Sequence, residues 1–130
     1  MSQVLGQVDT PPTRVDPTKG PGPVNALSVD VEEHFQVQAF AGAIQRTDWE
    51  THEFRVERNV ERLLEMFEQA QARATFFTLG WIAERQPAMV RRIVEAGHEL
   101  ASHGYHHERV DSQTPEAFRA DIRKTKQILE

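Results

Sequence analysis

The chain has 130 residues, no cysteine and a formal charge of −5, with acidic and basic residues mixed along its length. That length suits one domain, and the lack of thiols excludes disulfides and thiolate metal sites, so a bound metal would depend on His, Asp and Glu. No basic cluster suggests a nucleic-acid partner, no basic-then-apolar leader opens the chain, and no apolar run approaches the ~20 residues of a membrane helix; a cytoplasmic protein is expected.

Residues 1–23 are rich in Pro, Gly, Thr and charge and end in Lys19-Gly20-Pro21-Gly22-Pro23. Such a segment buries little apolar surface and is expected to be a disordered tail, with the folded domain covering 24–130. Asn25 to Val31 is a short apolar run of strand type. A loop follows through Trp49, with room for a short helix. Val56, Val60, Leu63, Leu64, Phe67 and Ala70 then fall on one helical face over residues 56–71. Ala74 to Leu79 reads as a buried strand closed by Gly80. Pro87 opens a second helix, faced by Met89, Val90, Ile93 and Val94 and stopped by Gly97. His98 to Ser102 is a third strand. Thr114-Pro115 caps a last helix expected to point Phe118, Ile122 and Ile128 or Leu129 inward.

Strands alternating with helices imply an α/β fold with parallel pairing and right-handed crossovers. Three strands make a small sheet for this class, and the chain stops at Glu130 inside a helical pattern, so a fragment of a longer α/β protein is expected.

In such folds reactive residues gather at the C-terminal ends of the strands. Asp30-Val31-Glu32 closes the first strand, and residues two apart on a strand face one side, so Asp30 and Glu32 can share a pocket. His103-Gly104-Tyr105-His106-His107 closes the third strand. His103 and His107 have a spacing common for two imidazoles on one metal, and Gly104 permits a sharp turn between them. Each cluster alone has a plainer reading. Asp-x-Glu-Glu is commonly a solvated loop, and one His pair is unsurprising among six histidines. Phe76, Phe77 and Trp81 read as core, and Tyr105 as pocket wall or core edge. Co-location at the same end of the sheet favours a site. Two imidazoles, one carboxylate and an open position describe a catalytic metal centre, with the second carboxylate free to take a proton from water.

Three stretches carry a resemblance to a known family: residues 25–32, Arg73-Ala74-Thr75-Phe76-Phe77-Thr78-Leu79-Gly80-Trp81, and Ala96-Gly97-His98-Glu99-Leu100-Ala101-Ser102-His103-Gly104-Tyr105. They resemble the NodB-type polysaccharide deacetylases, and within them the group encoded with exosortase-linked (PEP-CTERM type) exopolysaccharide loci. The resemblance covers about residues 24–130. It implies part of a distorted (β/α) barrel, about three parallel strands with intervening helices. It implies removal of acetyl groups from an N-acetylated polysaccharide with a divalent metal, Zn or similar. Asp30 matches the general base, and His103 and His107 match the metal histidines. The family's usual ligand aspartate is replaced by Val31; Glu32 fits the Asp-x-Asp variant as third ligand, with Glu33 and His34 as fallbacks. Tyr105 is the candidate substrate contact. The family's later motifs, a groove-lining Arg and Pro, a positioning Asp and a Leu-x-His general acid, do not occur in these 130 residues. Weak or no activity of this chain alone is therefore expected. Hydrolysis of small linear or cyclic amides, or a non-catalytic metal- or glycan-binding module, are the alternative readings.

Overall fold

Phe76 has no exposed surface and lies on the middle strand of a three-stranded parallel sheet. The structure, a computed structural model, describes residues 25–130; the expected disordered tail lies outside the described residues. The strands are β1 (Ser28–Val31), β2 (Thr75–Thr78) and β3 (Glu99–Ser102), in the order β1-β2-β3. Ser28 pairs with Thr75 and Thr75 with Glu99, and the register continues to Val31, Thr78 and Ser102. All three strands therefore end level. The helices are α1 (Val56–Gln69), α2 (Gly80–Arg85), α3 (Pro87–Glu95) and α4 (Pro115–Leu129).

Helix α1 buries Val56, Val60 and Leu64, and α3 buries Met89, Val90 and Ile93, the faces their periodicity predicts. Val94, expected on the α3 face, is instead 52% exposed. On α4 the inward residue is Thr125; Phe118 and Ile122 are each 37% exposed, against expectation, while Ile128 and Leu129 pack on the core. The short helix α2 was not expected. It starts at Gly80, directly after β2, where a side chain has no room. A Cβ there would lie 2.7 Å from Tyr105 Cδ2 and 2.9 Å from Thr125 Oγ1. Gly80 thus lets α4 approach α2.

His98 belongs to the core. It is 7% exposed, and its ring lies 5.0 Å from that of Phe76 and 5.5 Å from that of Phe67. The Ala74 N–H donates to its Nδ1 at 3.2 Å, so this nitrogen carries a lone pair and the ring is neutral. Burial, with Arg73 nearby, lowers its pKa below the ordinary 6.5. The unfolded chain therefore takes up the proton first. Stability from neutral His98 is complete above pH 6.5 and is lost as pH falls through the lower folded value. His98→Asn keeps an acceptor for Ala74 and removes the titration. Urea midpoints across a pH series should fall below pH 6.5 in the parent and lose that component in the variant. An unchanged slope would place the acid sensitivity elsewhere.

Candidate metal centre

The loop after β3 is fixed atom by atom. The His103 N–H donates to Thr78 O at 3.0 Å, extending the sheet ladder by one residue. Gly104 then turns with φ +75°, a conformation open to glycine at little cost. The first N–H groups of α2 hold the turn: Gly80 N donates to Gly104 O at 2.8 Å and Trp81 N to Tyr105 O at 3.2 Å. From the other side, the Tyr105 N–H donates to the Asp121 carboxylate of α4, 3.0 Å to Oδ2 and 3.2 Å to Oδ1. His107 also takes a left-handed backbone, φ +56°, an uncommon one for a side-chain-bearing residue.

These constraints bring both imidazoles over Glu32. His107 Nε2 lies 3.4 Å and His103 Nε2 4.0 Å from Glu32 Oε2. One donor atom from each of the three residues falls within 4.8 Å of the others. A tetrahedral ion with bonds of about 2.0–2.1 Å needs donors about 3.3–3.4 Å apart, so the set is close to a chelating geometry. Glu32 Oε2 and His103 Nε2 are withdrawn from water and have no hydrogen-bond partner. Buried polar atoms are ordinarily paired, and a shared cation would satisfy both. The site straddles β2: Glu32 follows β1 and the histidines follow β3, so the strands that bear the two clusters are not themselves neighbours.

Asp30 stands on β1 with its side exposed, two residues before Glu32, while Val31 between them turns into the core. Glu33, a fallback ligand from sequence, has another task. Its buried carboxylate Oε1 accepts from Val56 N at 2.6 Å and from Arg55 N, capping α1, while Gln36 Oε1 accepts from the Glu33 N–H at 2.8 Å. His34, the other fallback, is exposed and has Nδ1 2.6 Å from Arg55 Nη2. Tyr105, expected at the substrate, is 6% exposed. Its hydroxyl donates to Glu84 Oε2 at 2.5 Å, which lowers the Glu84 pKa, and Lys124 Nζ sits 3.2 Å from its ring centre. It is a packing residue between α2 and α4, because its ring fills the space that Gly80 leaves.

Two clefts meet at His107. One, of about 450 Å³, includes Gln36, Arg46 and Trp49; the other, of about 330 Å³, includes His103, Phe118 and Ile122. Sequence reasoning missed the residues of the first cleft, since the loop that bears them has no periodicity. It also missed Asp121, whose signal is a lone acid on the inward side of α4.

Residues 46–130 match the polysaccharide deacetylase family. The chain belongs to that family. A peptidoglycan-N-acetylglucosamine deacetylase of Bacillus cereus is 37% identical over 68 residues, 52% of this chain and 25% of that protein. A peptidoglycan deacetylase of Helicobacter pylori is 40% identical over 55 residues, 42% of this chain and 19% of that one. The chain thus spans a quarter or less of these two relatives. Among solved structures, a peptidoglycan N-acetylglucosamine deacetylase superposes with a TM-score of 0.58 and 27% identity over 80% of this chain and 38% of its own. A CE4 family pseudoenzyme from Bacillus anthracis gives 0.62 and 20% identity over 81% and 30%, a likeness of fold.

Glu32 and Glu33, adjacent in sequence, should respond oppositely to substitution. In metal-free protein Glu33→Ala should cost about 2 kcal/mol, because the buried Val56 N–H and the part-buried Arg55 N–H lose their acceptor. Glu32→Ala should change stability by less than about 1 kcal/mol, since the carboxylate lost has no partner to leave behind. Urea unfolding of both variants measures this, and equal losses would contradict the assigned roles.

Proposed function

We propose that this chain carries the metal-binding part of a glycan N-deacetylase centre, with Glu32, His103 and His107 as ligands and Asp30 as general base. The observation that supports it is the convergence of one carboxylate and two imidazoles from two strand ends, with Glu32 Oε2 and His103 Nε2 lacking a hydrogen-bond partner among the described residues. Their N₂O composition suits zinc. A divalent cation held there supplies a Lewis acid for the acetamide oxygen and a bound water of lowered pKa. The Asp30 carboxylate, on the same side of β1 as Glu32, accepts the proton of the attacking water. Gly104 and Tyr105 do no chemistry; their carbonyls fix the loop that aims the imidazoles. The named activity of the Bacillus cereus and Helicobacter pylori relatives supports an N-acetylated glycan as substrate. The motifs around residues 25–32 and 96–105 support an exopolysaccharide of an exosortase-linked locus as the polymer.

A binding module without turnover is the second reading, favoured by the pseudoenzyme among the neighbours. It shares the metal site and differs in acetate release.

The parent chain should bind one zinc ion per molecule, and His103→Ala and His107→Ala should each lose it. Retention of stoichiometric zinc by either variant, measured by elemental analysis after dialysis, would remove the site from these residues. On an N-acetylglucosamine oligomer the zinc-loaded 130-residue chain should release acetate at least ~10²-fold more slowly than the Bacillus cereus relative, because the general-acid motif is not among its residues. Comparable turnover by the two would show that leaving-group protonation comes from a residue already present.

A further inference from the structure

Gln36 and Trp49 bury polar atoms that the fold does not use. Each residue is 4% exposed. Gln36 Oε1 is occupied by the Glu33 N–H, which orients the amide and leaves Nε2 as a donor. Among the described residues neither this Nε2 nor Trp49 Nε1 has a hydrogen-bond partner. Buried donors are paired in roughly nine cases of ten, and an unpaired one destabilises the fold. Both residues line the larger cleft, which also takes in the candidate ligand His107. Arg46 lines it too. Its contact with Glu108, 3.5 Å with both side chains about half exposed, is of a kind that water and ligands readily replace. Among the described residues no Asp or Glu lines this cleft. Phe35 and Ile44 give it an apolar wall.

A sugar hydroxyl both donates and accepts and carries no charge, so it could not take the place of Glu108 beside the guanidinium. A carboxylate only accepts and carries the charge that Arg46 matches. We propose that this cleft is a subsite for a carboxylate-bearing sugar residue beside the N-acetylated one, with Gln36 Nε2, Trp49 Nε1 and Arg46 as its donors. The substrate would then be an acidic glycan. The inference rests on the deacetylase reading for the position of the neighbouring acetamide.

The test titrates the zinc-loaded chain with three probes: an alternating glucuronate–N-acetylglucosamine tetrasaccharide, its carboxyl-reduced form, and an N-acetylglucosamine tetramer. Dissociation constants and the indole N–H resonance of Trp49 are read together. The acidic probe should bind at least about tenfold more tightly than its reduced form and shift the Trp49 resonance. Trp49→Phe and Arg46→Gln should each reduce that preference to about threefold or less. Arg46 is on the surface, so its variant separates recognition from folding. Equal affinity for the acidic and reduced probes, or no binding of any probe, overturns the subsite. Zinc content in the same samples is independent of this result and shows whether the metal-centre reading stands or falls with it.

Discussion

The two hydrogen bonds from the start of α2 to the loop after β3 hold the candidate site together. Gly80 N to Gly104 O and Trp81 N to Tyr105 O use N–H groups that a helix start leaves without intrahelical partners. They attach the histidine-bearing loop to the end of the central strand. The contact requires the α2 backbone to come against Tyr105 and Thr125, and a Cβ at Gly80 would overlap both. With Asp121 accepting from the Tyr105 N–H on the far side, Gly104 and Tyr105 are clamped from two directions.

The level ends of the strands complete the arrangement. Parallel pairing puts Val31, Thr78 and Ser102 in one row, so the residues just beyond, Glu32 and His103, emerge on the same edge with only β2 between them. β2 contributes no ligand. Thr78, wholly buried at its end, acts through its carbonyl, which takes the His103 N–H. Packing of the core thus fixes the distance across which the Glu32 side chain reaches.

Much of this was legible in the sequence, for identifiable reasons. The α1 and α3 faces show the helical period, and Pro87 and Thr114-Pro115 mark the points where helices begin. Glu32, His103 and His107 could be brought to one place because strand ends and spacing constrain them. Helix α2 was not legible, since six residues opening on glycine show no period and glycine there reads as a stop. Phe118 and Ile122 looked inward because α4 is periodic, but periodicity finds a face without saying what covers it. Glu33 ranked behind Glu32 as a ligand by position, but its own task was not visible in the sequence. Its assignment as the α1 cap depends on Arg55 and Val56, more than 20 residues away, coming back to meet it.

That pair of glutamates bears on how this chain departs from the pattern of the family it resembles. The departure puts Val31 where that pattern has a ligand aspartate, and Val31 is 1% exposed, turned into the core. A carboxylate at that position would have to be buried among apolar side chains or twist the strand end toward the histidines. Placing the acid one residue later returns it to the side of β1 that Asp30 occupies, as the period of two requires. The strand has by then ended, and the extra methylene of glutamate over aspartate extends the reach toward the His107 and His103 nitrogens. Apolar burial at 31 and a candidate carboxylate ligand at 32 are in this way one solution to one constraint. The strand end seals the core with one residue and presents the candidate ligand with the next.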